Sequence, residues 1–275
     1  MFYLSLQDSL TGKALETPSI TVTTSQDLRS KPYDEIGRDY GSDWCSFCYT
    51  MAGTARLDNV RELLENIFKD EIEGDFLEAG TWRGGTSIFA RAVQVAMKQE
   101  DRSVFVCDSF SGLPRSSTAR DSNVWSRMQF LSVSQTDVED HFRRFQMLDE
   151  RVHFVKGFFS ASLPKLRVEF ITKNIKLAVL RGDGDMFESY YDILYNLYEF
   201  VPVGGYFICD DCPKISVAES AVAQFRRDHN ITDPIKYVTG SVVGSYWRKS
   251  KMVPVNYDAY LAWNQTRSFS RTMIT

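Results

Sequence analysis

Five short apolar runs recur through the middle of the chain, and four of them lead into an acidic residue. Runs of this length, bounded by polar or glycine-bearing segments, are typical of buried strands. These four acidic residues lie at the expected carboxyl ends of their strands. Open α/β sheets bind ligands at that edge. The predicted strands are Phe76-Leu77, Val104–Cys107, Val152–Val155, Leu177–Leu180 and Tyr206–Cys209.

Segments with apolar residues at three- and four-residue steps separate these runs and predict amphipathic helices. Strands that alternate with helices produce a mainly parallel sheet with helices on both faces. Two further runs, at 235–239 and 244–248, predict an antiparallel pair that closes the sheet, so the expected fold is α/β with seven strands. The predicted helices cover 56–69, 86–99, 190–200 and 216–229, and another starts at Thr136, which could form a capping box with Glu139.

The remaining segments have weaker patterns. Residues 17–24 predict a strand or an extended arm, and 25–39 predict a loop. The polar stretch 115–135 is long for a connection between a strand and a helix, which is typical of a lid. From residue 249 onward the pattern is mixed, and no spacing there indicates chemistry.

The segment E-A-G-T-W-R-G-G at 78–85 predicts a ligand-binding turn between a strand and a helix. Gly80 and Gly84 permit positive φ and close approach of a ligand, and the helix start offers free N–H groups. The spacing matches neither the dinucleotide-binding glycine motif nor the lysine-containing phosphate loop. Trp82 and Arg83 inside the turn also make it a poor phosphate cradle. The turn therefore favours a cofactor without phosphate, such as S-adenosylmethionine, unless its glycines only pack the helix on the sheet.

Three residues outside the turn are further candidates for cofactor contacts. Asp108 ends the second strand about one βαβ unit after Glu78, where an acidic residue commonly accepts hydrogen bonds from a ribose diol. The alternative is a helix cap or a loop aspartate. Phe158 lies in the loop after the third strand, in position to contact an adenine-like ring. Met51 lies in an aromatic and sulfur-rich segment at 41–54, which predicts either a flap over the cofactor or a loop that caps the core.

Three aspartates follow the fourth and fifth predicted strands: Asp183, Asp210 and Asp211. Neighbouring parallel strands bring their carboxyl ends together, so these side chains should converge. Like charges in one place need a cation, and an all-oxygen site suits Mg²⁺, Ca²⁺ or Mn²⁺. The alternatives are a helix cap or a solvated aspartate. A cation beside a methyl donor could bind a substrate hydroxyl and lower its pKa before the oxygen attacks the sulfonium methyl.

Composition excludes several classes of function. The chain has 275 residues, 43% of them hydrophobic, which is enough for a sizeable core. The net charge of −4 provides no basic surface for nucleic acid or an anionic membrane. No apolar run approaches the length of a membrane helix, and the first residues do not resemble a signal peptide. A small-molecule substrate is therefore the expected partner.

Two of the cysteine spacings are C-x-x-C, at Cys45/Cys48 and at Cys209/Cys212. Such pairs can form a four-cysteine zinc site. That interpretation is disfavoured because Cys209 ends a buried strand and Cys45 lies in an aromatic loop. The odd number of cysteines, five in all, and the absence of a signal peptide predict a reducing, cytoplasmic setting.

Seven segments in this order resemble the macrocin O-methyltransferase family, which makes O-methylated sugars in bacterial natural products. The resemblance covers roughly residues 43–248. It rests on T-M-A-G-T-A-R-L-D-N-V-R (50–61), L-E-A-G-T-W-R-G-G (77–85), D-S-F-S-G-L-P (108–114), L-D-E-R-V-H-F-V-K-G-F-F (148–159), L-R-G-D-G-D-M-F-E-S (180–189), G-G-Y-F-I-C-D-D (204–211) and S-Y-W-R-K (245–249).

The resemblance implies a class I, Rossmann-like methyltransferase fold, S-adenosylmethionine as methyl donor and a divalent ion, usually Mg²⁺. It implies that Asp183, Asp210 and Asp211 are the metal ligands, with Asp183 also close to the cofactor. The lid has no histidine that could serve as base. The hydroxyl proton would therefore pass to Asp183 or, with the help of the metal, to water. The implied cofactor contacts are Glu78, Ala79, Gly80, Thr81, Trp82, Asp108 and Ser109.

The expected organisation is an N-terminal arm at 1–42, a methyltransferase domain at 43–248 and a C-terminal tail at 249–275. Members of the family form oligomers, which implies a homo-oligomer here. The expected activity is methylation of a hydroxyl on a sugar or glycosylated natural product. Two alternatives stay open: an NAD(P)-dependent oxidoreductase, disfavoured by the missing glycine motif, and a non-catalytic binding protein with the same fold.

Overall fold

The computed structural model describes residues 2–22 and 28–272, which form a central sheet, a small N-terminal sheet and surrounding helices. The helices are α1 (Phe2–Thr11), α2 (Glu35–Tyr40), α3 (Gly53–Lys69), α4 (Gly85–Ala96), α5 (Gln135–Arg144), α6 (Phe159–Lys173), α7 (Phe187–Leu197), α8 (Ser216–Asp228) and α9 (Tyr257–Thr272). The strands are β1 (Ser19–Val22), β2 (Leu28–Lys31), β3 (Trp44–Cys45), β4 (Asp75–Ala79), β5 (Val104–Asp108), β6 (Val152–Lys156), β7 (Leu177–Gly182), β8 (Tyr206–Cys209), β9 (Lys236–Tyr237) and β10 (Ser245–Arg248).

The central sheet has seven strands in the order β6-β5-β4-β7-β8-β10-β9. The first five of these pair in parallel, and β10 runs antiparallel to both β8 and β9. The predicted fold class is therefore confirmed. Since parallel strands must be covered on both faces, their apolar runs were the strongest signal in the sequence.

Alternate residues of each strand pack against different helices. Phe76 packs with α1, α3, α4 and α5 on one face, whereas Leu77 packs with α6, α7, α8 and α9 on the other. This two-residue period is the ordinary pleat of a strand. It leaves the carboxyl ends of the parallel strands at one common edge of the sheet.

The N-terminal part of the chain is more regular than the sequence pattern suggested. β1 pairs antiparallel with β2 and β3, in agreement with the predicted strand at 17–24, although residues 23 and 24 lie outside the described residues. The predicted loop at 25–39 is wrong for its described part, because β2 and α2 lie there. Arg38 ties this region together: its guanidinium contacts Asp43 at 3.1 Å and donates to the carbonyl oxygen of Thr11 at 2.6 Å.

The C-terminal segment is also regular. The expected irregular tail is instead α9, whose Tyr260 is completely buried in the core beside α7. Residues 273–275 of the predicted tail lie outside the described residues. No helix in the described ranges is long and apolar enough to cross a membrane.

Candidate active site

The cavity of the candidate active site opens at the carboxyl ends of β4, β5, β6 and β7. This is the edge of the sheet at which the sequence predicted the cofactor. The segments that follow these strands, the α7 helix, one residue of α9 and Met51, which precedes α3, form its wall. The lining residues are Met51, Gly80, Trp82, Asp108, Ser109, Gly112, Leu113, Pro114, Leu131, Phe158, Phe159, Ser160, Asp183, Gly184, Asp185, Glu188, Ser189, Asp192 and Arg267.

The glycine turn after β4 is held in place by protein backbone. Gly80 has φ +96°, and a Cβ atom there would lie 1.6 Å from the carbonyl oxygen of Asp183. A Cβ atom on Gly85 would lie 2.5 Å from the carbonyl oxygen of Tyr49. Close packing against other backbone segments therefore suffices to explain why Gly80 and Gly85 are glycines. This agrees with the alternative interpretation, in which the glycines of the turn serve packing only.

Asp108 binds the glycine turn to the end of β5. Its Oδ2 atom accepts hydrogen bonds from the backbone N–H groups of Thr81 at 2.8 Å and Trp82 at 3.2 Å. Its Oδ1 atom accepts from the N–H of Phe110 at 2.8 Å. Burial raises the pKa of Asp108, and these three donors oppose that rise. Asp108 thus supports the turn and also lines the cavity.

Glu78 lies beneath the site, in the middle of a buried ionic network. It is 1% exposed, accepts a hydrogen bond from the hydroxyl of Ser87, and contacts Nη1 of Arg181 at 2.5 Å. Arg181 also contacts Asp183 at 2.9 Å and pairs with Asp210. Burial raises the pKa of Glu78 to about 7, with the Arg181 charge acting in the opposite direction. Arg181 therefore connects the ends of three neighbouring strands.

Asp183, Asp210 and Asp211 converge at the ends of β7 and β8. The two strands pair in parallel through Gly182 and Cys209, so the residues that follow them emerge side by side. One carboxylate oxygen from each aspartate lies within 4.8 Å of the other two. The side chain of Asp183 is 30% exposed and faces the cavity, whereas the other two are buried.

The charges at these strand ends do not balance. Burial and the charge of Asp210 raise the pKa of Asp183 well above its ordinary value, and burial with Asp185 does the same to Asp211. Burial alone would also raise the pKa of Asp210, but the guanidinium groups of Arg181 and Arg56 lower it. Counting Glu78 and Asp185, five carboxylates here face two guanidinium groups. The site therefore carries an excess of negative charge that a cation could neutralise.

Comparison with known proteins identifies the family of this chain. The family model of the Macrocin-O-methyltransferase (TylF) family matches residues 7–249. The demethyldecarbamoylnovobiocin O-methyltransferase of Streptomyces niveus is 36% identical over 247 residues, 88% of this chain and 90% of that protein. The 8-demethyl-8-(2,3-dimethoxy-alpha-L-rhamnosyl)-tetracenomycin-C 4'-O-methyltransferase of Streptomyces olivaceus is 38% identical over 220 residues, 78% of this chain and 81% of that protein. The chain belongs to the macrocin O-methyltransferase family.

The solved structure of the O-methyltransferase NovP gives the same result at the level of the fold. It superposes with a TM-score of 0.81 and 35% sequence identity, covering 91% of this chain and 98% of NovP. This member of the macrocin O-methyltransferase family is thus an O-methyltransferase of class I fold with S-adenosylmethionine as methyl donor. The oxidoreductase and the non-catalytic protein considered above are set aside. The family match begins at residue 7, inside the predicted arm, and thus extends beyond the resemblance found at 43–248.

The predicted cofactor contacts of this methyltransferase separate into two groups. Met51, Gly80, Trp82, Asp108, Ser109, Phe158 and Asp183 line the cavity. Glu78, Ala79, Thr81 and Gly84 are not part of its wall, since their side chains or Cα positions are buried in the turn and the sheet. The roles assigned to both groups stay predictions.

Sequence reasoning missed the cations of the site and its inner wall. Arg181 and Arg56 pair with the acidic residues, and the inner wall is formed by Glu188, Asp192 and Arg267. A signal existed for Arg181, because an arginine directly after a buried apolar run needs acidic partners. No comparable signal marked Arg267, which lies in the segment expected to carry no chemistry.

The two C-x-x-C pairs differ in the structure. Cys209 and Cys212 form a disulfide, so in this structure they are not available as thiolate ligands for zinc. Cys45, Cys48 and Cys107 are free and buried. The cytoplasmic location stays a prediction.

Proposed function

We propose that this enzyme methylates a hydroxyl group of a glycosylated natural product, with a divalent cation held by Asp183, Asp210 and Asp211. The acceptor class rests on the relatives: one is named for a rhamnosyl tetracenomycin and another for a novobiocin precursor. The single observation that carries the metal is the convergence of three carboxylates within 4.8 Å beside the cavity.

The donor set fits a hard cation such as Mg²⁺. All three side chains offer oxygen, which is the ligand that Mg²⁺ prefers. Five carboxylates and two guanidinium groups leave an excess of negative charge, which the two positive charges of Mg²⁺ would neutralise in large part. Asp183 is open to the cavity, so a cation held there would also be accessible to a substrate oxygen. When bound, the ion would lower the pKa of the acceptor hydroxyl.

The cofactor is proposed to lie across the ends of β4, β5 and β6. Asp108 accepts three backbone hydrogen bonds and a longer one, at 3.3 Å, from the hydroxyl of Ser109, which also donates to the carbonyl oxygen of Gly112 at 2.5 Å. A carboxylate has about four acceptor sites, so a ribose hydroxyl would take the place of the Ser109 hydroxyl. Phe158, which is 39% exposed and lies in the cavity wall, offers an apolar face to the adenine ring, and Met51 offers another apolar contact.

The protein residues orient the reacting groups and exclude water. Arg181 fixes one oxygen of Asp183, which is the proposed acceptor of the hydroxyl proton. The lid segment is attached beside the cavity, because Asp121 accepts hydrogen bonds from the first N–H groups of α7, at 2.7 and 3.0 Å. The sulfonium loses its positive charge in the reaction, so orientation and desolvation are the main contributions the protein can make.

The test combines metal removal with Asp183→Asn. Turnover of glycoside acceptors should cease in EDTA and return with Mg²⁺, and the variant should lose roughly 10²–10⁴-fold in kcat because both a ligand and the proton acceptor are lost. Calorimetry should show nearly unchanged affinity for S-adenosylmethionine.

Asp140→Asn, which changes an exposed carboxylate on α5, is the matched control and should keep full activity. Undiminished turnover in EDTA, together with an active Asp183→Asn variant, would refute the metal-assisted reaction. If the wild type binds S-adenosylmethionine but methylates catechols and no glycoside, the proposed acceptor class is wrong. Homo-oligomerisation stays a separate prediction.

A further inference from the structure

The inner wall of the cavity contains a buried arginine that is only partly paired. Arg267 is 3% exposed and lies in α9, beyond the residues matched by the family model. Its Nη2 atom contacts both carboxylate oxygens of Asp192, at 3.1 and 3.0 Å. Its Nη1 atom has no hydrogen-bond partner among the described residues and lies 3.5 Å from Glu188.

Glu188 makes no hydrogen bond to this nitrogen, and its carboxylate is held by the lid instead. Its carboxylate accepts hydrogen bonds from the N–H of Ser117 at 2.7 Å, from the hydroxyl of Ser117 at 2.6 Å, from the N–H of Thr118 at 2.9 Å and from the hydroxyl of Ser116 at 3.1 Å. Three of these donors bind Oε1, and only the Ser117 hydroxyl binds Oε2, which is the oxygen that lies 3.5 Å from Nη1. A buried guanidinium N–H without a hydrogen-bond partner is costly, so a further acceptor in the cavity would stabilise the site.

The position of Arg267 points to the methyl acceptor. Asp183 lies four residues before the first residue of α7, Phe187, and α7 carries both Glu188 and Asp192. The hydroxyl to be methylated must lie next to Asp183 under the proposed function, which puts the rest of that molecule along α7. Most of the predicted cofactor contacts lie instead at the end of β4 and on the segments that follow β4, β5 and β6.

The charges around Arg267 restrict the chemistry of the group it can bind. One guanidinium lies between two carboxylates, so the inner wall has a net charge of −1 and disfavours an anion. A neutral oxygen can accept from Nη1 without this penalty. We propose that Arg267 is a specificity residue that donates a hydrogen bond to an uncharged hydroxyl or ether oxygen of the glycoside acceptor. This inference rests on the proposed function.

The experiment uses the full chain, S-adenosylmethionine, Mg²⁺ and an aryl α-L-rhamnoside together with its monodeoxygenated analogues. Arg267→Gln should lower kcat/KM for the parent rhamnoside about 10- to 100-fold, mainly through KM, because a hydrogen bond from a charged donor is lost. One deoxy analogue should show the same loss with the wild type and no further loss with the variant. The affinity for S-adenosylmethionine should change less than twofold.

Tyr260→Phe is the matched control. It removes the hydrogen bond of 2.8 Å that Tyr260 donates to Asp192, and it keeps Arg267. Its KM should equal that of the wild type. An equal rise in KM for both variants would show that Arg267 acts only by packing α9 on α7, which overturns the inference. Loss of S-adenosylmethionine affinity in Arg267→Gln would overturn it as well.

Arg267→Lys covers the case in which the glutamine variant fails to fold. Lysine retains the charge beside Asp192 but has one nitrogen instead of the planar pair, so KM should again rise. An unchanged KM with lysine would refute the role of Nη1. If the wild type binds S-adenosylmethionine but methylates no rhamnoside, the proposed function fails, and the inference about Arg267 fails with it.

Discussion

Replacement of Gly80 by alanine should destabilise this protein far more than the addition of a methyl group to a surface glycine. Gly80 has φ +96°, and the new Cβ would lie 1.6 Å from the carbonyl oxygen of Asp183. Both partners are backbone and both are held in place. Gly80 donates to the carbonyl oxygen of Cys107, and Asp183 donates to that of Ala79, each at 2.8 Å.

The cost follows from this geometry. Real Cβ atoms are essentially never found closer than 3.0 Å to another heavy atom, so the ends of β4 and β7 must separate by about 1.4 Å. That movement breaks the hydrogen bond from Asp183 to Ala79, which spans β4 and β7, at about 1 kcal/mol. Positive φ at a residue with a side chain adds about 1–2 kcal/mol. The expected loss is about 2–3 kcal/mol of the free energy of unfolding, or roughly 4–12 °C in Tm.

Denaturant unfolding followed by circular dichroism measures this loss, with Gly240→Ala as the matched control. Gly240 also has positive φ, +76°, but its nearest neighbour is the Cβ of Ala55 at 3.7 Å. It should therefore lose only the 1–2 kcal/mol that positive φ costs. Equal losses in the two variants would refute the argument from close strand packing. Activity should fall in Gly80→Ala as well, because Asp183 moves with its backbone.

Two further predictions concern regions away from the cavity. Arg38→Ala should cost about 3–5 kcal/mol in denaturant unfolding because it leaves the buried carboxylate of Asp43 unpaired. Arg143→Ala, at an exposed pair, should cost under about 0.5 kcal/mol, and similar losses would contradict the role of Arg38. Burial lowers the pKa of Lys249 from its ordinary value of 10.5 to about 8. Between these two pH values Lys249 binds more protons in the unfolded chain than in the native one. This residue therefore makes the free energy of unfolding rise with pH in that window. Lys249→Met should remove this part of the rise, and parallel stability curves for wild type and variant would show that Lys249 does not cause it.

The sequence was most informative about the central strands, for a physical reason. Buried parallel strands need apolar residues on both faces, so runs such as 104–107 and 206–209 could form little else. The acidic residues after them had to lie at the carboxyl edge once the strands were parallel. The position of the cavity and the convergence of Asp183, Asp210 and Asp211 followed directly.

Features that depend on partners distant in the sequence could not be predicted in the same way. Arg181 extends β7 past its apolar run, and its partner Glu78 lies 103 residues away. The helix α9 is held in place by Tyr260 and Arg267, which both contact Asp192 of α7. Neither segment has a local pattern strong enough to reveal these contacts.

Helix caps show the limit of local reading at a smaller scale. Thr136 and Glu139 have the spacing of a capping box, but Ser134 and Asp137 have the same spacing two residues earlier. The helix α5 uses the earlier pair: the hydroxyl of Ser134 accepts from the N–H of Asp137 at 3.1 Å. The predicted cap at Thr136 is therefore wrong, and only the structure distinguishes two equivalent candidates.

The pairing of β4 with β7 has a consequence for synthesis on the ribosome. Translation adds about 5–20 residues per second, so the 103 residues between Glu78 and Arg181 take roughly 5–20 s to appear. Until β7 emerges, the edge of β4 that later pairs with it is open, and Glu78 lacks its partner Arg181. An open strand edge is a site for pairing with other chains. Nascent chains that are not shielded by a chaperone should therefore aggregate mainly before residue 181 emerges, and slower translation should lengthen this vulnerable period.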